Sequence, residues 1–356
     1  MKDKKALFEQ QHLISNAVRE AGREACRLLG LSFSDVRAAV VCGNTVMEHI
    51  AAGIDPSSIA NAPFTAPTLF GEYYSAAALS FLENEHSVLY FAPCFASYVG
   101  GDIACGMIAE GLDACSDNVL FIDIGTNGEI GLSTKKGLYF CSAAAGPAFE
   151  GAHIECGMAG IEGAIDKVYV QEGKILFHSI GDGTPSGICG SGLMDAAAVM
   201  LDTGLLDETG RIADKTEAGE YADYIAEDKT GAPLFLIDRE HSVYLTGKDI
   251  REIQLAKAAI CAGIYTLLHK AELSLSDVSS VVLAGGFGSH MNKASACRIG
   301  LIPRALEGKI TSAGNAAGAG AVAILLGGAP REAARTICTK SDYTELSGDA
   351  YFMAKY

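Results

Sequence analysis

Between Val119 and Ile130 the chain reads Val-Leu-Phe-Ile-Asp-Ile-Gly-Thr-Asn-Gly-Glu-Ile: an apolar run, a carboxylate, a glycine-rich turn and a second strand. A buried strand that ends in Asp123 and is followed at once by a glycine hairpin offers two things to an anionic ligand. Glycine tolerates positive φ, so the N–H groups of such a turn can converge on phosphate oxygens. The Asp123 carboxylate can hold Mg²⁺ through its water shell or orient an attacking water. Asn-Gly is also the commonest two-residue hairpin turn, so an ordinary hairpin is the competing reading.

Two later segments repeat the pattern. Val281-Val282-Leu283-Ala284-Gly285-Gly286-Phe287-Gly288-Ser289 is a second buried strand ending in glycines. Ile188-Cys189-Gly190-Ser191-Gly192-Leu193-Met194-Asp195 is a third glycine turn, opening an apolar helical run. In their order and spacing the three resemble the phosphate and adenosine elements of the actin, sugar kinase and Hsp70 superfamily.

Composition narrows the partners. With 27 basic and 43 acidic residues, the formal charge of −16 opposes nonspecific binding to nucleic acid or anionic membrane. Bound phosphate would therefore be held by backbone amides and a metal ion rather than by a basic patch. The 356 residues, 49% of them apolar, suffice for two domains or one bilobal unit. None of the eleven cysteines stands in a C-x₂-C. Cys94, Cys105 and Cys115 are about ten residues apart, unlike the ligands of an iron–sulfur cluster. With no secretory signal in Met1-Lys2-Asp3-Lys4-Lys5, the expectation is reduced cytoplasmic thiols. No apolar run reaches the ~18–20 residues of a membrane span.

Along the chain, residues 6–30 read as an amphipathic helix stopped by Gly30. A strand over 36–41 leads to a helix over 46–52, capped by Asn44 or Thr45. After a proline-containing loop come a short strand over 87–91 and an apolar helix over 103–111 that joins two lobes. The second lobe opens near Asn118 with the Asp123 hairpin and a third strand over 138–142. A glycine- and alanine-rich crossing covers 144–151, and an insertion of short strands and charged turns covers 163–250. A long amphipathic helix over 251–273, a strand over 281–284 and a small-residue helix opening at 315–321 complete the pattern. Alternating strands and helices indicate an α/β fold. The division expected is a partial first lobe at 1–117 and a nucleotide-binding lobe at 118–356.

Longer stretches carry a closer resemblance: Val40 to Thr45, Ser97 to Asp102, Phe121 to Ile130, Cys141 to Met158, Gly187 to Asp195, Asp249 to Lys257, Ala284 to Gly288 and Gly314 to Gly320. Almost end to end, the chain resembles the C-terminal part of the reductive activators of corrinoid proteins. The resemblance implies an actin/Hsp70-like, ribonuclease H-like bilobal architecture. It also implies coupling of ATP hydrolysis to the reduction of a Co(II) corrinoid to Co(I). Full-length members carry an N-terminal ferredoxin-like [2Fe–2S] domain and a first phosphate hairpin, and neither is found in this sequence. The first lobe is therefore expected to be incomplete, with two strands and an open edge. That edge would be covered by a separately encoded chain, by a second copy of this chain, or by a rearranged helix 6–30.

The same resemblance implies roles. ATP and Mg²⁺ are the expected cofactors, with no iron–sulfur cluster in this chain. Asp123 would lie near Mg²⁺ or the hydrolytic water, and Gly125, Thr126, Asn127 and Gly128 would cradle phosphate. Glu129 caps the turn or positions water. Gly190, Ser191 and Gly192 offer helix N-terminal N–H groups to an anion, or form a tight packing turn. Gly285, Gly286, Phe287 and Gly288 admit adenine or ribose, or form a buried strand-to-helix turn. Glu150 is the second catalytic candidate. It lies in an apolar crossing where an unpaired charge is costly, so it is expected to meet a buried cation or the cleft. Asp102 would approach the nucleotide, and His49 and His153 would be structural.

The leading function is thus an ATP-dependent activator of a corrinoid protein, with a ferredoxin-like electron donor on another chain. The alternative is a docking or regulatory subunit that does not hydrolyse nucleotide. A small-molecule kinase of the same superfamily is a third class, for which no sugar-binding carboxylate signature is found.

Overall fold

The computed structural model describes residues 4–356. Uninterrupted by proline, α1 (Lys4–Leu28) ends where Gly30 takes φ +69° and Leu31 N–H returns to the Cys26 carbonyl, a left-handed helix stop. β1 (Ala38–Val41) leads to α2 (Thr45–Ala51), which Asn44 caps by accepting from Met47 N–H at 2.9 Å. β2 (Glu72–Ser75), β3 (Val88–Phe91) and α3 (Gly101–Ala109) follow. Three successive strands come next: β4 (Val119–Ile124), β5 (Gly128–Thr134) and β6 (Gly137–Ala143).

The region expected as an insertion holds two small sheets. β7 (Ala164–Gln171), β8 (Lys174–Ser179) and β9 (Gly187–Ile188) pair in the order β8-β7-β9 and feed α4 (Gly190–Asp202). β10 (Ile225–Glu227), β11 (Pro233–Asp238) and β12 (Val243–Leu245) form an antiparallel meander. α5 (Gly247–Lys270) starts earlier than its apolar stripe suggests, because Thr246 and Asp249 cap each other reciprocally. β13 (Ser280–Ala284), α6 (Gly285–His290), α7 (Lys293–Arg298), β14 (Ile310–Gly314), α8 (Ala316–Leu326), α9 (Gly328–Lys340), β15 (Asp342–Tyr343) and α10 (Ala350–Lys355) complete the chain.

Two compact units emerge. The first holds the described residues up to Val119 with Gly131–Cys141 and Asn315–Thr344; the second holds Leu120–Ile130, Ser142–Gly314 and Glu345–Tyr356. The chain passes between them after Val119, Ile130, Cys141, Gly314 and Thr344. This division is not linear, whereas the sequence reading expected 1–117 and 118–356.

In the first unit a sheet runs in the order β1-β3-β2, with β1 parallel and β2 antiparallel to β3. Two strands were expected here and three are present. The third, Glu72-Tyr73-Tyr74-Ser75, is short and follows a proline-containing loop. It forms because its tyrosines pack tilted and edge-on against the rings of β3, with Tyr74 4.9 Å from Phe91 and Tyr73 5.0 Å from Tyr90 between ring centres. Since β2 joins the far side of β3, β1 is an edge strand among the described residues. α8 packs so closely on α3 that a Cβ at Gly320 would overlap the Cys105 carbonyl. Glu48 of α2 is buried, accepting from Gly43 N–H at 3.0 Å and from the Cys94 thiol at 3.6 Å. Burial pushes its carboxyl well above the usual glutamate range.

In the second unit β14, β13, β4 and the first three residues of β5 lie in that order, and β13 and β14 are parallel. α5 supplies much of the core through Ile253, Ile260, Ile264 and Leu267. No helix among the described residues is long and apolar enough to cross a membrane.

Candidate functional site

β4 delivers the first candidate. Leu120, Phe121, Ile122 and Ile124 are buried and Asp123 is half-buried. The chain then bends through Gly125-Thr126-Asn127, where Gly125 N–H donates to the Asn127 carbonyl at 3.0 Å. The connection is a three-residue bend rather than a two-residue Asn-Gly turn. Neither Gly125 nor Gly128 has positive φ, so the left-handed freedom expected of them is not used. Gly128 is needed for space instead: a Cβ there would lie 2.8 Å from Ile260 Cγ1. At Gly125 the nearest atom to such a Cβ would be Glu150 Oε1, at 3.6 Å. Thr126 and Asn127 are exposed, and Glu129 is half-buried in β5.

Of the two surroundings expected for Glu150, the buried cation is not the one found, since its side chain is exposed. It ends a short 3₁₀ turn, Ala148–Glu150, between Gly146 and Gly151, which take φ +77° and +81°. These two left-handed residues turn the chain so that Phe149 points into the core and Glu150 is exposed. Its partner is the Thr126 hydroxyl, which lies 3.0 Å from Oε1 and 2.8 Å from Oε2, rather than a buried cation.

The left-handed glycine lies across from Asp123. Gly285 takes φ +81°, and a Cβ there would collide with Asp123 Oδ1. Gly286 is exposed with open space at its Cβ position, whereas Gly288 is buried against Leu283. Phe287 is half-buried and stacks on Phe149, ring centres 5.2 Å apart and planes 12° from parallel. This stack went unread in the sequence, because nothing local pairs two phenylalanines so far apart in the chain.

At the start of α4, Gly190 and Gly192 are buried. A Cβ at Gly190 would overlap the Phe149 carbonyl, and one at Gly192 the Ile165 carbonyl. Packing thus requires both glycines. Ser191 is half-buried, its Oγ 3.4 Å from Cys189 Sγ, and Cys189 gives the helix no side-chain cap.

All of these residues belong to the second unit. Asp102 belongs to the first, where burial raises its carboxyl pKa while Ile103 N–H donates to it at 2.9 Å. His49 is a buried structural histidine, bonded through Nδ1 to the Thr45 carbonyl at 2.6 Å and through Nε2 to Thr68 N–H at 3.3 Å. His153 is exposed.

The sequence pattern of the C-terminal, ASKHA domain of RACo matches residues 117–356, and that of the RACo middle region matches residues 1–115. The chain belongs to the RACo family. Corrinoid activation enzyme RamQ of Eubacterium limosum is 32% identical to it over 365 residues, 98% of this chain and 60% of that protein. A [Co(II) methylated amine-specific corrinoid protein] reductase of Methanosarcina barkeri is 25% identical over 274 residues, 71% of this chain and 45% of the other. Among solved structures, a reductive activator for corrinoid, iron-sulfur protein superposes with a TM-score of 0.86 at 35% identity, covering 99% of this chain and 57% of that one. The α/β ASKHA architecture expected from the sequence is therefore the fold of this RACo family member. The chain spans about three-fifths or less of the length of these relatives.

Proposed function

We propose that this chain is the ATP-binding part of a reductive activator that helps return Co(II) corrinoid proteins of methyltransferase systems to Co(I). The observation that carries the reading is the family match over the same residues that bring Asp123, Gly285, Thr126 and Glu150 together. No cluster of three or more His, Cys, Asp or Glu among the described residues could cage a metal. That suits Mg²⁺, which keeps its waters and binds mainly to phosphate oxygens with one or two carboxylates. Asp123 would hold the water shell of Mg²⁺. The N–H groups of Thr126, Asn127, Gly128 and Ser191 would bind phosphate, since the site residues include no cation. Gly285, Gly286 and Gly288 leave the backbone open to a nucleoside. Thr126 would orient Glu150 to align a water and take its proton. ATP, when bound, supplies the phosphoanhydride whose cleavage drives a change of conformation.

The partner of the reading is a corrinoid protein in the cytoplasm, an assignment that eleven free cysteines support. The electron would come from a ferredoxin-like donor on another chain. β1 is an edge strand with an apolar groove of about 420 Å³ beside it, lined by residues such as Ile14, Val18, Val40, Val41 and Met47. A further strand, from a separate chain or a second copy, would fit that edge.

Two measurements test the reading. Calorimetric titration of Mg-ATP should give binding that Asp123→Ala abolishes. The chain with Mg-ATP and a low-potential donor should speed the loss of Co(II) absorbance in a corrinoid protein. Binding without any such acceleration would favour the docking or regulatory alternative.

A further inference from the structure

Three contacts in the second unit, joined by short stretches of chain, close into a ring that includes the two candidate carboxylates. Asp123 Oδ1 meets Gly285 at the start of α6. Two residues on, Phe287 stacks on Phe149. Phe149 is bonded to Glu150, Glu150 accepts from Thr126, and Thr126 lies in the bend that follows Asp123. The stack is braced from below, because Gly190 of α4 lies against both its members: a Cβ there would overlap the Phe149 carbonyl and stand 2.8 Å from Phe287 Cε2. Phe149 is 3% exposed, so the 3₁₀ turn that carries Glu150 cannot shift without moving the Phe287 ring.

We infer that Phe287 is a positioning residue, acting through Phe149 to fix the exposed Glu150 carboxylate relative to Asp123. The inference rests on the nucleotide reading of this site. α6 carries the glycines that admit a nucleoside, so occupation of that turn would be transmitted to Glu150 through the stacked rings. Glu150 is exposed, so its orientation depends on the Thr126 hydroxyl at its tip and the Phe149 backbone at its base. A residue that acts only through Glu150 loses its effect once Glu150 has lost its chemistry.

The test is a double-mutant cycle on Mg-ATP turnover with Phe287→Leu and Glu150→Gln, joined to amide hydrogen exchange of the wild type and of Phe287→Leu without nucleotide. Phe287→Leu should lower kcat about tenfold with KM changed by less than about twofold, and should add no further loss to Glu150→Gln. It should also speed exchange at 148–150 and 125–128 together. A raised KM at unchanged kcat would make Phe287 a nucleobase contact and overturn the positioning role. So would losses that multiply in the double variant, or exchange unchanged in both segments. A wild-type chain that neither binds nor turns over Mg-ATP would overturn the nucleotide reading, and the role of Phe287 with it. Wild-type turnover with additive losses would overturn the role of Phe287 alone.

Discussion

Asp123 Oδ1 faces the bare α-carbon of Gly285, with no room between them for a methyl group. The glycine takes φ +81°, so two independent requirements meet at one residue. Gly285→Ala should cost about 1–2 kcal/mol from the left-handed backbone alone. It should also push Asp123 from its position and weaken Mg-ATP at least about tenfold, equivalent to about 1.4 kcal/mol. A thermal melt and a calorimetric titration of the same preparation separate the two effects.

The Thr126 hydroxyl lies within hydrogen-bond distance of both oxygens of the Glu150 carboxylate. Both residues are exposed, so Thr126→Ala should leave stability within about 0.5 kcal/mol. Turnover of Mg-ATP should fall, while Thr126→Ser, which keeps the hydroxyl, should stay near wild type. Equal rates for the two variants would remove Thr126 from any role in orienting Glu150.

Glu48 makes stability depend on pH. Its folded pKa lies well above the ordinary value of 4.5, chiefly because the carboxyl is buried, with Gly43 N–H opposing that rise. The folded chain thus holds this proton more tightly than the unfolded chain. The resulting stabilisation is complete below 4.5 and is lost as pH rises toward the folded pKa. Glu48→Gln cannot titrate, so its stability should gain on that of the wild type as pH rises from about 5 to 8. Denaturant midpoints measured at steps across that range should converge or cross; parallel curves would rule out a titrating Glu48.

Close packing of α8 on α3 gives a simpler expectation. At Gly320 a methyl group would overlap the Cys105 carbonyl, a backbone atom that cannot swing aside. Gly320→Ala should destabilise by about 1–3 kcal/mol, although alanine is the better helix former. Urea denaturation measures it, and a neutral result would mean the two helices can separate at little cost.

Much of this architecture could be read from the sequence because its strands are continuous apolar runs that end in glycine. β4, β13 and the opening of α4 announce themselves in this way, and all three come together in the second unit. The misreadings arise where a distant residue decides local geometry. Gly125 and Gly128 look like the left-handed positions of a phosphate turn, yet left-handed geometry falls at Gly285, where Asp123 leaves no room for a side chain. Glu150 sits in an apolar stretch and reads as buried, but Gly146 and Gly151 swing it outward while Phe149 takes the core position. β2 has only four residues and becomes a strand through the rings of β3.

The five passages of the chain between its units bear on how such a protein can be divided. Expressing residues up to Val119 alone would leave behind α8, α9 and part of β5 and β6, which belong to the same packed body. A fragment beginning at Leu120 would carry those pieces with nothing to fold against. Neither body is a contiguous cassette, so a recombination event or a cloning boundary that aims to move the second unit by itself must take the whole run from α1 to α10.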